Sequence, residues 1–304
     1  MTTADQQQTL HRAISCEGVA LHSGRATRLT LAPAPADAGI TFHRTDLSRC
    51  SMPATISALS STTLATSLKN GKGGVATVEH LLSALYGSGI DNLTVKVDGP
   101  EVPILDGSAV PFLDLIDQAG VRRQSAPRRP IRITAPIEAR DGESWIRAEP
   151  GAGFQVDYRV DYAHPAIRQQ ALALQIDPAR YAADIAPART FGFLHEVQAL
   201  RDRGLVQGGS MDNAIVLDEE KVVNGDLRFA DEFVRHKILD LVGDLALLGA
   251  PLQGTVTVYK GSHRLHTALV RTLLEQTGSW DREAVVEPVA AAAPLLPATA
   301  SLTA

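Results

Sequence analysis

The sequence predicts an α+β fold built from two similar units, and three observations support this. Short segments alternate apolar and polar residues between glycines and prolines, as β-strands do. Two longer segments have the apolar spacing of helices. A faint repeat relates "HLLSALYGSGIDNLTVKVDG" to "HKILDLVGDLALLGAPLQGTVTVYKG", because each contains a His-bearing helix, a glycine stop, a strand and a closing glycine. With 304 residues, 44% of them apolar, the chain is long enough for one large or two medium domains, and we expect two.

The first unit is expected to begin with strands and continue with two helices. The predicted strands are "ATRLTLAPA", "ITFHRTDL" and "NLTVKVDG", and the predicted helices are "TVEHLLSALYGSG" and "SAVPFLDLIDQAG". Thr77 is expected to cap the first helix, and Gly87 and Gly89 suit its end. Gly120 is expected to end the second helix.

The segment "VRRQSAPRRPIRI", Val121–Ile133, contains two prolines and five arginines. A charge run beside prolines is more often a solvated linker than a phosphate-binding surface, so we place the domain boundary here. We therefore expect a first α+β domain in residues 1–126 and a second in residues 127–280. The low complexity and the prolines of residues 281–304 predict a disordered tail.

The second unit is expected to contain the same kinds of element. Its predicted strands are "SWIRAEP", "FQVDYRVDY" and "GTVTVYKG". A helix is expected over residues 231–248, between the second and third of these strands, and Gly249 suits its end. This helix is the counterpart of the first helix in the faint repeat.

The composition excludes several classes of partner. The chain has 29 basic and 34 acidic side chains, a net charge of −5, which offers no broad cationic surface for nucleic acid or an anionic membrane. Cys16 and Cys50 form no CxxC pair, so we expect neither a disulfide framework nor a thiolate zinc site. The start lacks the apolar core of a signal peptide, and no run of about 18 apolar residues occurs. We therefore expect a soluble cytoplasmic protein without an integral membrane segment.

Three short polar side chains lie four residues apart in the apolar segment "VRHKILDLVGDLALLG". On a helix, His236, Asp240 and Asp244 share one narrow stripe, with Phe233 and Leu247 at the same angle. Such a stripe is often simply the solvent face of a helix, but a solvent face favours long Lys and Glu side chains. Short polar groups among apolar neighbours indicate a partly buried site instead. A bound cation would remove the free-energy cost of burying the carboxylates.

Zinc is the cation that these side chains favour, because imidazole nitrogen and carboxylate oxygen are both good zinc ligands. His236 and Asp240 supply two ligands, and His80 in "TVEHLL" could supply a third. The neighbouring Glu79 could then take a proton from a water molecule that the zinc activates. Taken alone, "EH" in a helix is weak evidence, because a histidine at such a position is more often an ordinary core histidine than a metal ligand.

The stretch "YKGSHRLH" offers two candidates for a general acid, His263 and His266. Either could instead be an exposed loop histidine. Asp244 could orient one of them as an imidazolium, because a nearby carboxylate raises the pKa of a histidine and keeps a proton available for a leaving amine.

Eight stretches in the same order along the chain carry a family resemblance, from about residue 8 to residue 275: "EGVALHSG", "TTLATSL", "TVEHLLSALYGSGIDN", "EVPILDGSAVPFLDLI", "ARTFGF", "GLVQGGSMDNAIV", "RHKILDLVGDLALLG" and "YKGSHRLHTALV". Together they are similar to the zinc-dependent UDP-3-O-acyl-N-acetylglucosamine deacetylases of lipid A biosynthesis in Gram-negative bacteria. The resemblance implies two similar β-α-α-β domains packed as a sandwich, with helices in the interior layers and the metal site between the domains. It also implies an apolar passage for the acyl chain, to which residues 188–212 would contribute.

The resemblance further implies roles for individual residues. They are zinc ligation by His80, His236 and Asp240, general base catalysis by Glu79, protonation of the leaving amine or oxyanion stabilisation by His263, a hydrogen bond from Asp244 to that histidine, oxyanion binding by Thr190, and substrate binding by Phe191 and Lys237. One departure concerns the residue before the catalytic histidine, which is usually Gly in the family. Here Gly261 and Ser262 precede His263, and His266 lies nearby.

The function implied is hydrolysis of the N-acetyl group of UDP-3-O-(3-hydroxyacyl)-N-acetylglucosamine by a monomeric enzyme with one Zn²⁺ per chain, for which Fe²⁺ could substitute in the cell. Two alternatives come from other classes. One is a nucleotide-sugar binding protein in which zinc only joins two domains, although a structural zinc site normally has four protein ligands. The other is a metal-free lyase or dehydratase that uses Asp244 and His263 alone.

Overall fold

The computed structural model describes residues 6–282, which form a mixed α/β structure. The strands are β1 (Gln6–Leu10), β2 (Ile14–Val19), β3 (Ala26–Pro33), β4 (Ile40–Arg44), β5 (Cys50–Pro53), β6 (Leu59–Ser61), β7 (Ser67–Asn70), β8 (Gly73–Val75), β9 (Leu93–Val97), β10 (Val121–Pro127), β11 (Ile131–Ile133), β12 (Ile137–Asp141), β13 (Ser144–Glu149), β14 (Phe154–Asp161), β15 (Gln169–Gln175), β16 (Phe191–Phe193), β17 (Ile215–Leu217), β18 (Leu252–Tyr259) and β19 (Trp280–Arg282). The helices are α1 (Glu79–Gly87), α2 (Val110–Ala119), α3 (Pro178–Arg180), α4 (Leu194–Asp202), α5 (Glu232–Leu245) and α6 (His263–Glu275). None of the helices in this part of the chain is both long enough and apolar enough to cross a membrane.

The first large sheet has the strand order β2-β3-β9-β4-β5. Its pairs are antiparallel except for β4 and β9, which run parallel. The predicted alternation is clearest in β3, where Leu29 and Leu31 are fully buried between more exposed residues. The strands predicted from "ATRLTLAPA", "ITFHRTDL" and "NLTVKVDG" are therefore confirmed. A small separate sheet, β6-β7-β8, precedes α1 in the chain.

The second large sheet has seven strands and is organised around β18. Strand β18 pairs antiparallel with β13 and parallel with β14, and its residues alternate strictly between buried and half-buried. Strands β12 and β15 extend the sheet beyond β13 and β14. Strand β11 runs parallel to the start of β18. On its other edge, β11 pairs antiparallel with β19.

Helices α1 and α5 pack directly against each other and carry the polar residues that the sequence singled out. Helix α1 also contacts α2, whereas α5 contacts α6, β14 and β15. The close approach depends on Gly243, because a Cβ atom there would lie 2.1 Å from the carbonyl oxygen of Glu79. A glycine in the last turn of α5 thus lets the two helix backbones touch.

Gly243→Ala is therefore expected to lower the free energy of unfolding by about 1–3 kcal/mol, the usual effect of overpacking a tight interior. The contact is with backbone, which cannot rotate away as a side chain could. Urea unfolding of the variant measures this change. Gly278→Ala is the matched control, since no atom lies within 4 Å of a Cβ built there. Equal stabilities for the two variants would contradict the role assigned to Gly243.

Two local predictions are wrong. Thr77 does not cap α1: it has a positive φ of 56°, and its hydroxyl donates to Glu101 Oε1 over 2.8 Å. Val78 precedes the helix and supplies no side-chain hydrogen bond.

The predicted linker is largely strand, because β10 pairs antiparallel with β1 and directs Arg122 and Arg123 to solvent. The arginines of a surface strand can point to solvent, so a charge run does not by itself distinguish such a strand from a solvated linker.

The boundary of the predicted tail also shifts. Asp281 and Arg282 belong to β19, which pairs with β11 on the edge of the second sheet. Their side chains and that of Trp280 are half-buried or exposed, so no apolar pattern marks this strand in the sequence. The remainder of the predicted disordered tail lies outside the described residues.

Candidate metal centre and active site

Three potential metal ligands converge between α1 and α5. His80 Nε2 lies 3.7 Å from Asp240 Oδ1, and His236 Nε2 lies 3.4 Å from the same oxygen. All three side chains are buried, and their ligand atoms lie within 4.8 Å of one another. The contacts are long for hydrogen bonds, but ligands about 2.0–2.2 Å from one tetrahedral ion are separated by about 3.4 Å. The spacing therefore fits a shared divalent ion. The alternative that this stripe faces solvent is wrong.

The protonation states of these side chains also fit a metal. Burial, together with the neighbouring His236, lowers the pKa of His80 to about 3, so its imidazole is neutral. Burial alone would raise the pKa of Asp240, but the charge of Lys237 holds it well below its usual range. His236 Nδ1 lies 3.1 Å from the carbonyl oxygen of Ala188, which favours a proton on Nδ1 and leaves Nε2 free to bind. The second nitrogen of His80, Nδ1, is buried without a hydrogen-bond partner among residues 6–282.

Lys237 lies against the second oxygen of the same carboxylate. Its Nζ donates to Asp240 Oδ2 over 2.7 Å, and its side chain is largely buried. Burial disfavours the charged form, but the charge of Asp240 outweighs it and raises the pKa of Lys237 above its usual value. The family resemblance implies a substrate-binding role for this lysine, which stays a prediction. The contact with Asp240 is an additional feature that the sequence did not reveal.

Glu79 is the first residue of α1 and lies beside the three potential ligands. Its Oε2 accepts a hydrogen bond from the backbone N–H of Thr66 over 3.0 Å, and its Oε1 lies 3.9 Å from His263 Nε2. Burial raises the pKa of Glu79 to about 8, although the charge of His263 acts in the opposite direction. A carboxylate with this pKa can exchange a proton near neutral pH.

Asp244 is the centre of a second cluster, one turn beyond Asp240 on α5. Its Oδ1 accepts from the hydroxyl of Thr66 over 2.5 Å. Its Oδ2 is 2.8 Å from His263 Nδ1 and 2.9 Å from His266 Nδ1. The carboxylate is fully buried, and both oxygens are hydrogen-bonded.

The two histidines belong to a helix, not to a loop as one interpretation held. Helix α6 starts at His263, and the Ser262 hydroxyl caps it by accepting from Leu265 N–H over 3.3 Å. His266 is fully buried, whereas the His263 side chain is 12% exposed. Burial opposes the charged form of His263, but the charges of Asp244 and Asp240 raise its pKa to about 9. Of the two candidates, only His263 combines a raised pKa with an accessible ring.

The stretch "ARTFGF" lies against α5. Thr190 is fixed by backbone hydrogen bonds, its N–H donating to Gly107 over 2.8 Å and its carbonyl accepting from Ile215 over 2.7 Å. The ring of Phe191 contacts Phe233 and lies 6.2 Å, centroid to centroid, from His236. The structure therefore brings this stretch to the edge of the metal centre.

The sequence comparisons agree on a family. The family model for LpxC, UDP-3-O-acyl N-acetylglycosamine deacetylase, matches residues 7–275. This chain belongs to that deacetylase family. A protein from Anaeromyxobacter sp. (strain Fw109-5) is 49% identical over 273 residues, which is 90% of each chain. One from Acidithiobacillus ferrooxidans is 47% identical over 91% of this chain and 92% of its own. One from Oleidesulfovibrio alaskensis is 49% identical over 88% and 89%. Each is named UDP-3-O-acyl-N-acetylglucosamine deacetylase.

Two features of this deacetylase-family site were not predicted from the sequence. Thr66 bonds to two acids that lie 13 and 178 positions away, Glu79 and Asp244. The only sequence feature that pointed to Thr66 was its position in "TTLATSL", one of the stretches that carry the family resemblance. Glu232, fully buried at the start of α5, accepts from Arg189 through the backbone N–H over 3.0 Å and the guanidinium Nε over 2.9 Å. This pair holds "ARTFGF" against the helix that carries two of the potential metal ligands.

Proposed function

We propose that this chain hydrolyses the N-acetyl group of UDP-3-O-acyl-N-acetylglucosamine, releasing acetate and the free amine, as a step of lipid A biosynthesis. One observation carries the proposal. In a member of this deacetylase family, three potential metal ligands, Glu79 and the Asp244–His263 pair gather where α1, α5 and α6 meet. The relatives' names supply the substrate class.

His80, His236 and Asp240 are the residues that would hold the metal, with zinc as the favoured ion and iron(II) as the alternative. When bound, such an ion supplies Lewis acidity: it polarises a carbonyl oxygen and lowers the pKa of water. The neutral imidazoles and the ionised carboxylate are already in their ligand forms. Lys237 keeps Asp240 ionised and occupies the oxygen that points away from the histidines.

Glu79 is proposed as the general base. Its Oε2 is held by the Thr66 N–H, which leaves Oε1 as the atom that takes a proton from water. Burial raises the pKa of Glu79, but a cation held by the adjacent His80 would lower it again and would favour an ionised Glu79 at neutral pH.

His263 is proposed as the acid that gives a proton to the departing nitrogen. Its Nδ1–H donates to Asp244, so its Nε2, 3.9 Å from Glu79 Oε1, is the atom that faces the reacting groups. A pKa of about 9 keeps the ring protonated at neutral pH. The positive charge also suits stabilisation of an oxyanion.

The remaining roles follow from position. Thr190, held by its backbone, is proposed to donate its hydroxyl to the oxyanion, and Phe191 to contact the nucleotide sugar. Lys237, which donates to Asp240, is proposed to bind the substrate too. Residues 188–212, which contain β16 and α4, are proposed to contribute to the passage for the acyl chain.

The finer architecture is also a proposal. Two β-α-α-β domains, residues 1–126 and 127–280, would pack with their helices inside and the metal between them. Contacts of α1 with α5, and of α5 and α6 with the second sheet, support this arrangement. The monomeric state, the cytoplasmic location and the absence of nucleic acid partners stay predictions from the sequence.

The decisive experiment measures acetate released from the UDP-linked, 3-O-acylated N-acetylglucosamine. We expect release by the zinc-loaded protein, loss of release after metal removal, and recovery when zinc is restored. The unacylated sugar is the matched control substrate and should react more slowly. Undiminished release from the chelated protein would overturn the hydrolytic role of the metal. The zinc would then only join two domains of the enzyme. Binding of the sugar with no acetate release at all would favour the nucleotide-sugar binding protein.

Metal content distinguishes the proposed function from the alternative of a metal-free lyase or dehydratase. Metal analysis of the freshly purified protein should find close to one zinc or iron per chain. Less than about one-tenth equivalent would point to acid–base chemistry by Asp244 and His263 alone.

A further inference from the structure

A fully buried pair, Tyr158 and His266, is attached to Asp244 and has no part in the function proposed above. The Tyr158 hydroxyl lies 2.9 Å from His266 Nε2, and His266 Nδ1 lies 2.9 Å from Asp244 Oδ2. Both side chains have no exposed surface. Because neither reaches solvent, neither can contact a substrate or exchange a proton with it directly.

The direction of these hydrogen bonds follows from the groups involved. Asp244 is ionised and can only accept, so His266 must carry its proton on Nδ1. Burial lowers the pKa of His266, which leaves the ring neutral and Nε2 an acceptor. Burial raises the pKa of Tyr158, so its hydroxyl keeps its proton and donates. The chain of donors therefore runs from Tyr158 through His266 to Asp244.

The backbone around the pair leaves little freedom. A Cβ atom on Gly261 would lie 2.2 Å from the Tyr158 hydroxyl oxygen and 2.7 Å from His266 Nε2. The chain that leads into α6 therefore packs directly on this hydrogen bond. His263 and His266 are three residues apart on α6, so their rings lie on one face and both Nδ1 atoms reach the same oxygen of Asp244.

We propose that His266 is a positioning residue: backed by Tyr158, it fixes the Asp244 carboxylate in the orientation in which Oδ2 also accepts from His263. Thr66 holds the other oxygen, so the carboxylate cannot turn without losing a hydrogen bond. This inference rests on the proposed role of His263 and deepens it. His266 acts only through Asp244.

Two matched variants test the role of His266. In His266→Asn the amide nitrogen can occupy the position of Nδ1 and donate to Asp244, whereas in His266→Gln the amide reaches the position of Nε2. We expect His266→Asn to keep most of the wild-type kcat. His266→Gln should lose about 10- to 100-fold in kcat, the usual effect of removing an outer partner, with KM and metal content unchanged. Tyr158→Phe should show a smaller loss, because the ring of His266 remains.

A double-mutant cycle tests whether His266 acts through Asp244. In the Asp244→Asn background, His266→Gln should cause little further loss in kcat, because the group that it positions has been replaced. Losses that multiply would overturn the proposal. So would equal losses in the Asn and Gln variants, since these would indicate packing rather than a hydrogen bond at the Nδ1 position.

A measurement without substrate separates this proposal from the proposed function. The low-field N–H resonance of His263 in the zinc-loaded protein reports its hydrogen bond to Asp244. We expect that resonance to persist in His266→Asn and to shift or broaden in His266→Gln. An unchanged resonance in His266→Gln would overturn the positioning role even if acetate is released. The expected shift without acetate release by the wild type would retain the hydrogen-bond role and reject the deacetylase function.

Discussion

Glu79→Gln is expected to lower kcat by about 10²- to 10⁴-fold and to leave the bound metal in place. Glutamine keeps the size of the side chain and an oxygen that can accept from the Thr66 N–H. It cannot take a proton from water. The loss should therefore fall on kcat and not on KM, and acetate release together with metal analysis measures both parts of the prediction.

The control for this prediction is His80→Ala, one residue away on α1. This variant removes a proposed ligand, so metal and activity should be lost together. If Glu79→Gln loses its metal as readily as His80→Ala, Glu79 is a ligand and not a base. Near-normal turnover by Glu79→Gln would also contradict the general base assignment.

The sequence predicts the parts of this structure that follow from local periodicity. Strand β3 and helix α5 were identified because their apolar residues recur at the spacing of a strand and of a helix. His236 and Asp240 could be paired for the same reason, since positions four apart on a helix must lie on one face. His80 could be proposed as the third ligand from its residue type and its position beside Glu79. The family resemblance was needed to favour that role over a core histidine, because no local rule relates residues on different helices.

The features that escaped prediction depend on tertiary contacts or on atypical composition. Strand β10 is rich in arginine and β19 has no alternating apolar pattern, so neither reads as a strand. Helix α6 begins with "HRLH", whose polar residues are also typical of a loop. Only the tertiary structure shows that Leu265 and His266 are buried there. The bond between Tyr158 and His266 spans 108 positions. Nothing in the sequence around either residue indicates the other.

Asp244→Asn is expected to lower kcat/KM at pH 8 by about 10²- to 10⁴-fold, as loss of a carboxylate that orients and charges a catalytic histidine commonly does. Three donors, from Thr66, His263 and His266, point at this side chain. An amide offers one accepting oxygen, and its nitrogen would face a donor. His263 would therefore lose its orientation together with the charge that keeps it protonated.

The pH dependence of this variant identifies the cause of the loss. In the wild type the pKa of His263 is raised to about 9, so activity that needs the protonated ring is present below this pH and falls as the pH rises through it. Without the charge of Asp244, the effect of burial dominates, and the alkaline fall in kcat/KM should move to lower pH. Measurement of kcat/KM from about pH 5 to pH 10 tests this shift. An alkaline fall that stays near pH 9 in Asp244→Asn would mean that another group titrates there, and His263 would lose its assignment as the acid.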